Sequence, residues 1–466
     1  MTPSGTVSAQ PETPITQYTY DRVGRLTMTV DPLTRATETK YDDALRQETL
    51  FLPAALQVNT HGAPTTAFTY DDAGNKASVT DPVGRFTTYD CDAANRLVTI
   101  TAPAVDQGGS ATVTKYGYDL SDNLTKVRDA VNGDDDVVSV YDPLNRKVRD
   151  TFVAVPHFNA TKITSPITAA AWIAYAYNDA GEQTATTDRL GRTTERDYDA
   201  LGRLTKVTQP APIADSADPT TVMQYDAVGN LRLVYDPLQS AAKSATNRTE
   251  YEYDALDRRT VVRSAAPGGT GGLVRPEVTT GYDAVGNVRT VTDPRGNLTR
   301  TDYNAQNLPT LVMQPDPGPG PGGTAADHPP VLTALTYDPS GNRIGEVATS
   351  VAMNYKTATV FDNLDRPYQV TDRTGLVTQT GYFADGLVKK QTQDATSKNA
   401  RSTEYRYDGL GRARLVIRQR EENAFDSTRT KYDAVGNLVE IIDPIFNKTT
   451  FTYDAAYRKT GEKTFA

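Results

Sequence analysis

The chain has 466 residues, with 58 acidic against 49 basic side chains and a formal net charge of −9. An acidic balance without clustered Lys and Arg argues against nucleic-acid binding, and no stretch approaches the ~18 apolar residues of a membrane-spanning helix. A single cysteine, Cys91, excludes an internal disulfide framework and a Cys-rich zinc site. Tyr is the dominant aromatic, 26 against 11 Phe and one Trp, and the hydrophobic fraction is 38%. Tyr favours strands and keeps a polar tip, so this balance describes sheet with a wet face rather than a thick core.

Residues 1–15 carry no repeat and read as a loose lead-in. They lack the basic start and apolar stretch of a secretory signal. From residue 16 to 466 the chain is one unit read eighteen times. Its anchors are Tyr20, Tyr41, Tyr70, Cys91, Tyr118, Tyr141, Tyr177, Tyr198, Tyr225, Tyr253, Tyr282, Tyr303, Tyr337, Phe361, Tyr382, Tyr407, Tyr432 and Tyr453. Asp or Asn follows the anchor in seventeen units, Phe383 being the exception. Four residues after the anchor stands Gly in ten units, including Gly202, Gly286 and Gly436, and Asn or Asp in six. These residue types tolerate positive φ, and Asp bonds backbone N–H groups two residues on, so the pattern predicts a tight hairpin turn closed by a left-handed residue. Only Leu45 and Tyr457 depart from it.

A second turn falls about ten residues later, at Asp31-Pro32, Asp81-Pro82, Asp293-Pro294 and Asp443-Pro444. In most long units a Pro/Gly/Ala loop replaces it, as in residues 102–110, 209–219, 265–276 and 314–330, which places these loops on one sheet edge. Between turns lie short runs of Thr, Val, Leu and Tyr, so the chain reads as an antiparallel meander. Apolar pairs three apart, Leu204 with Val207 and Leu438 with Ile441, conflict with strict alternation and call for a bulge.

The motifs Tyr20-Asp21-Arg22-Val23-Gly24-Arg25-Leu26, Tyr198-Asp199-Ala200-Leu201-Gly202-Arg203-Leu204, Tyr282-Asp283-Ala284-Val285-Gly286-Asn287-Val288 and Tyr432-Asp433-Ala434-Val435-Gly436-Asn437-Leu438 resemble the Rhs/YD-repeat family. That family includes the repeat regions of bacterial Rhs polymorphic toxins, Tc toxin shell components, wall-associated YD-repeat proteins and animal teneurins. The resemblance implies tandem β-hairpins in a curled antiparallel sheet, part of a hollow β-shell, secreted or at the cell surface. It implies a scaffold that sequesters a cargo or toxin polypeptide among neighbouring repeats of a longer chain. A surface module binding a glycan or cell-surface protein through loops and Tyr rows is the alternative. The Asp-Pro-x-Gly-Leu signature that closes the toxin shells is absent from this sequence, so no C-terminal core-associated or toxin domain is expected within it. The chain reads as a repeat segment of a longer protein or a truncated reading frame.

No residue pattern calls for catalysis, a cofactor or a metal. His61, His157 and His328 fall in irregular stretches, and there is no Gly-x-Ser-x-Gly elbow, phosphate loop or His-Glu-x-x-His. Cys91 replaces an anchor Tyr and reads as a structural thiol. Asp134-Asp135-Asp136 follows Asn132-Gly133 and reads as a turn, lacking the alternating spacing of a calcium loop. Arg follows the turn Gly position in nine units and Asn in six, which favours Asp–Arg pairs over a ligand-binding row. Asn-x-Thr triplets at Asn123, Asn159, Asn247, Asn297 and Asn447 read mostly as turn register, with glycan attachment as the other reading. Two strands per unit make about 36, so at ~4.8 Å per strand the sheet is roughly 170 Å wide. Curled into one turn it surrounds a space roughly 50 Å across, a band with two open rims and an exposed edge near Tyr453.

Overall fold

The computed structural model describes residues 14–54, 63–105, 109–130, 137–159, 162–212, 216–237, 248–266, 274–315, 330–349, 354–421, 424–454 and 457–465. Among them are thirty-six strands and no helix, β1 (Gln17–Tyr20) to β36 (Lys459–Phe465) in chain order. Each strand pairs antiparallel with the next, from β1 with β2 (Leu26–Val30) to β35 (Lys448–Tyr453) with β36. The fold is therefore all-β, one uninterrupted meander. Turns after each anchor form one rim of this ribbon, and the turns and loops between units form the other. The strands flanking all four Pro/Gly/Ala stretches run from an even to an odd strand, so the described ends of these stretches lie at the second rim.

The bulge required by the three-apart apolar pairs is present. Arg196 pairs with Val207 and Asp197 with Lys206, but Tyr198 pairs with Leu204, which leaves Thr205 as the extra residue. Its hydroxyl donates to the Asp197 carbonyl at 3.1 Å. The same shift recurs beside Tyr20, Tyr118, Tyr282 and Tyr432. The bulge returns anchor, aromatic and β-branched positions to one face: Tyr118 opposes Leu124 and Tyr116 opposes Val127, while Lys115 opposes Arg128 on the other.

The protein has almost no core. It exposes 29,269 Å², whereas a compact protein of this mass would expose ~17,000 Å². Among the described residues no large side chain is fully buried, and the buried apolar ones number five: Leu233, Tyr235, Ala266, Ala348 and Val377. A single sheet layer held by its own ladder accounts for both facts.

The sheet is curled and unclosed, as expected, but it does not make one turn of all thirty-six strands. The Arg35 turn after β2 meets Ser340, Asp362 and Asp365, more than 300 residues away. Arg85 meets Asp385, and Gly409 N–H donates to the Val105 carbonyl at 3.2 Å. In each case the second rim of an early hairpin touches the first rim of a hairpin about twenty-three strands later. The sheet thus coils as a spiral, and its later strands form a second storey on the first. Twenty-three strands at ~4.8 Å give a circumference of ~110 Å and a span of roughly 35 Å between opposite backbones. The curl is tighter than one turn of all thirty-six strands, because right-handed twist and repeated bulges bend the ribbon.

One further correction concerns residues 147–177. His157 lies within β12 (Lys147–Asn159), opposite Ile167 of β13 (Lys162–Tyr177), and not in an irregular loop. These two strands form the longest hairpin of the sheet.

Candidate functional site: the turn ladder and the seam

The repeated element is a five-residue turn. At Asp71 the carboxylate Oδ1 accepts the N–H groups of Ala73 (2.9 Å) and Asn75 (2.8 Å), and Oδ2 accepts from the Asn75 side chain (2.9 Å). Gly74 N–H donates to the Asp71 carbonyl, and Asp71 N–H donates to Asn75. This is a three-residue loop, a type I turn followed by a left-handed residue. Seventeen of the eighteen positions four past the anchor have positive φ, Tyr457 included. In the Tyr41 unit the left-handed residue is Arg46 instead of Leu45. The Asp31, Asp81, Asp188, Asp293, Asp372 and Asp443 turns on the second rim bond in the same way. Gly286 has φ +100° with open space where a Cβ would sit. Gly286→Val therefore meets backbone strain alone and should weaken the 282–292 hairpin by about 1–2 kcal/mol. Hydrogen exchange of that hairpin reads this locally, which suits a repeat array that need not unfold in two states. Unchanged protection would contradict the turn assignment.

Side chains then stitch each unit to the next. Arg203 Nε donates to Asp199 (2.7 Å), its Nη1 to the Asp226 carbonyl (3.4 Å), and its guanidinium lies 4.8 Å from the Tyr225 ring centroid. Arg96, Arg146, Arg258, Arg366 and Arg412 repeat the stacking. Where Asn replaces Arg, it bridges turns through its amide, as Asn75 does to Asn95 and Asn123 to Asn145. Asn297 and Asn447 likewise bond the Asp of their own turns. The Asn123, Asn297 and Asn447 triplets thus sit in turn register, while Asn247 lies outside the described residues.

The anchor hydroxyl has a duty that residue type alone did not reveal. Tyr225 Oη donates to the Leu204 carbonyl at 2.8 Å. Eleven other anchors, among them Tyr41, Tyr118, Tyr198, Tyr282 and Tyr453, donate to the carbonyl six past the preceding anchor. The reason is geometric. The ladder between β16 (Leu204–Thr208) and β17 (Thr220–Tyr225) begins at Lys206, so the Leu204 carbonyl has no strand partner on that side. The Tyr hydroxyl satisfies it. The sequence carried the signal: Tyr fills sixteen of the eighteen anchors and Phe only one. Tyr225→Phe should keep the ring on Arg203 and cost about 0.5–1.5 kcal/mol. Protection of the 204–225 hairpin pair checks this, and a loss no smaller than in Tyr225→Ala would assign the effect to the ring instead.

Side-chain hydrogen bonds from the Asn or Arg four residues on hold the carboxyls of Asp71, Asp92, Asp199, Asp254, Asp283 and Asp293 below the ordinary Asp value of 3.8. A depressed folded pKa contributes stability that is complete above the unfolded value and is lost as pH falls through the folded one. Circular dichroism should therefore stay flat from neutral pH to about 5 and decay below about 4. A midpoint near 6 would overturn the account.

At the seam these turns are covered. Arg35 is 9% exposed at its side chain and pairs with Asp31 at 2.5 Å and Asp365 at 2.9 Å. Burial works against its charge, but the bonds to Asp31 and Asp365 outweigh it, so Arg35 holds its proton more firmly than usual. Arg85 bridges Asp81 (2.5 Å) and Asp385 (2.7 Å). The Asp385 contact explains the exceptional Phe383. That turn lacks Asp at its first position, and its carboxylate, two residues later, faces the storey below. The Asp362 and Asp408 carboxylates are 6% and 2% exposed, against 25% for Asp199 on an uncovered turn.

Of the remaining candidates, Cys91 and His157 fall within described strands. Cys91 ends β7 (Phe86–Cys91) half-buried, and burial with nearby carboxylates pushes its thiol pKa up, away from a poised thiolate. His61, His328 and Asp134–Asp136 lie outside the described residues. Asp150, 8% exposed, accepts from Ser139 (2.6 Å) and Tyr175 (3.2 Å) and pairs with Lys147. Among the described residues no group of His, Cys, Asp and Glu is placed to hold a metal ion.

Residues 70–104, 177–212, 282–315 and 432–466 match the RHS Repeat family. Each match opens on an anchor, Tyr70, Tyr177, Tyr282 or Tyr432, and contains the next anchor twenty-one residues on. These four stretches match RHS repeats, and the described strands form one curled antiparallel sheet. It is similar to the crystal structure of TcdB2-TccC3, with 13% identity and a TM-score of 0.40, over 97% of this chain and 29% of that one. The TcdB2-TccC3-Cdc42 crystal structure is similar at 13% identity and TM-score 0.39, over 97% and 28%. The Tc holotoxin pore of Photorhabdus luminescens is similar at 14% identity and TM-score 0.39, over 95% and 28%. The chain spans less than a third of the length of these structures. Comparison with curated proteins gives no match.

Proposed function

We propose that the chain is a wall segment of a secreted or extracellular shell that sequesters a polypeptide cargo and contributes no catalysis of its own. The observation that carries this reading is the seam: a single-layer sheet that coils back onto itself surrounds a space instead of filling it. The densely hydrogen-bonded turn ladder supports a wall that holds its shape without a core. Apolar and Tyr-rich positions share one face, which suits contact with an unfolded or partly folded chain. The alternative, a surface module reading glycans or proteins through Tyr rows, is less favoured. Anchor hydroxyls are committed to backbone carbonyls and several anchor rings are covered by Arg, which leaves little for a ligand to read.

The test attaches a fluorescently labelled, protease-sensitive tail of about fifty residues after residue 466. The tail on the intact wall should be cut at least tenfold more slowly than the same tail free, and opening the seam should abolish that difference. Equal cutting rates with an intact seam would sink the sequestration reading while leaving the fold untouched.

A further inference from the structure

The residue before each anchor lies on the sheet face opposite the Tyr rings, and its charge changes along the chain. Apart from Lys40 it is acidic wherever it is charged before residue 400, at Asp90, Asp197, Glu252 and Asp302. In two successive late units it is basic, Arg406 and Lys431. The strands around them are β30 (Val388–Gln393), β31 (Arg401–Tyr407), β32 (Ala413–Glu421), β33 (Ala424–Tyr432) and β34 (Leu438–Ile442), followed by β35 and β36. Arg406 opposes Leu415, which opposes Arg429, which opposes Ile442, which opposes Lys448, which opposes Phe465. Residues paired across antiparallel strands share a face. Cation and apolar side chain therefore alternate in one line across six strands, with a cation every ~10 Å. Lys431, Glu440, Thr450 and Lys463 form a second line beside it, and Lys390 opposes Glu404 at the near end. These positions hold six cations and two carboxylates, a net +4 in a chain whose total is −9, so the remainder holds −13. Arg414 and Glu421, at opposite ends of β32, offset each other. Arg429, Lys431 and Lys463 are exposed, and Phe465 is 42% exposed.

We propose that this strip is a docking surface for an anionic lipid bilayer. Charge sets the orientation: the strip is drawn to such a surface while the acidic remainder is repelled from it. The alternation sets the depth. Guanidinium and ammonium groups reach phosphate and carboxylate headgroups, and Leu415, Ile442 and Phe465 between them meet the boundary of the acyl region. The strands β31 to β35 are each paired on both sides, so the strip offers side chains and no free backbone edge. A fluid lipid surface brings headgroups to wherever the strip places a cation, whereas a folded acidic partner must match a fixed pattern. The Tyr face is the one read above as meeting cargo, so the strip lies on the outside of the wall. The inference rests on that reading only for the side to which the strip points.

Sedimentation with phosphatidylcholine vesicles containing about one-third phosphatidylserine should show saturable binding of the full chain at low salt, absent with pure phosphatidylcholine. Arg429 faces no carboxylate across either ladder, so replacing it breaks no cross-strand ion pair. Arg429→Gln should weaken binding about fivefold and Arg429→Glu about thirtyfold, a grading by charge that lost structure would not produce. Arg295→Glu makes the same change in net charge on an exposed rim turn and should shift binding by less than about twofold. Circular dichroism checks that each variant keeps its sheet. The Arg429→Glu chain should still protect the attached tail, which separates this outcome from that of the sequestration test. In a Cys91→Ser background, Arg429→Cys should react with a polyethylene-glycol maleimide too large to enter the enclosed space. No reaction would put the strip on the inner side and overturn the proposal. Equal binding by Arg429→Glu and the unaltered chain would also overturn it. So would tighter capture by immobilised polyglutamate than by the vesicles, which would assign the strip to an acidic polypeptide.

Discussion

Asp408→Ala should destabilise the second storey by about 3–5 kcal/mol, the cost typical of removing one partner of a buried ion pair. Three losses coincide at this residue. Its Oδ1 accepts the N–H groups of Leu410 and Arg412, both at 2.9 Å, and both would be left without an acceptor. Its Oδ2 holds Arg412 Nε at 2.7 Å, so a guanidinium only 20% exposed would lose its counter-charge. The turn would then no longer present Gly409 N–H squarely to the Val105 carbonyl. The same substitution at Asp199 removes the same kinds of bonds from a turn that water can reach, and its effect should be clearly smaller. Hydrogen exchange over residues 401–417 and over 97–105 is the measurement. Loss of protection in both segments in Asp408→Ala, and in neither after Asp199→Ala, is the expected result. Equal effects of the two substitutions would mean that the seam adds nothing to the turn.

The contrast between Asp408 and Asp199 marks where sequence reading stops. Both follow an anchor Tyr, and both precede a Gly three residues on and an Arg four on. Everything local follows from that pattern, so strand positions, turn chemistry, the bulge at Leu204 and the edge that carries the long loops are legible. The coil is not local. Which rim meets which depends on small rotations added over some twenty-three strands, and no single unit records their sum. Arg35 therefore reads like any other turn Arg, although it joins two storeys. The exceptions were the informative residues. Phe383 breaks the Asp rule where the carboxylate is needed two residues later for Arg85, and it packs edge-on against Tyr407 with ring centroids 6.0 Å apart. The Tyr hydroxyl was missed for a different reason. Strand propensity explains an aromatic anchor but does not distinguish Tyr from Phe, whereas the unpaired carbonyl six residues past the preceding anchor does.

Gly409→Ala should lower stability by about 1–3 kcal/mol, the usual range for forcing atoms into a well-packed contact, and the sign is the argument. Gly409 is the second residue after its anchor, and the other seventeen units carry Arg, Asp, Asn, Ala, Leu or Pro there. It does not have the positive φ that demands Gly. In an isolated hairpin, replacing it by Ala would stabilise by about 0.4–1 kcal/mol, because the unfolded chain loses freedom. At the seam a Cβ would overlap the Ala104 carbonyl oxygen, which is backbone and cannot swing aside as a long side chain can. The Gly409–Val105 hydrogen bond must then stretch or break, and the rims separate at the 103–105 loop. Scattering should report a larger radius for the variant, with protection lost first at residues 97–105. Ala284→Gly, at the matching position of an uncovered turn, should instead destabilise only its own hairpin and leave the radius unchanged. A Gly409→Ala chain as stable and as compact as the original would show that the two storeys do not bear on each other.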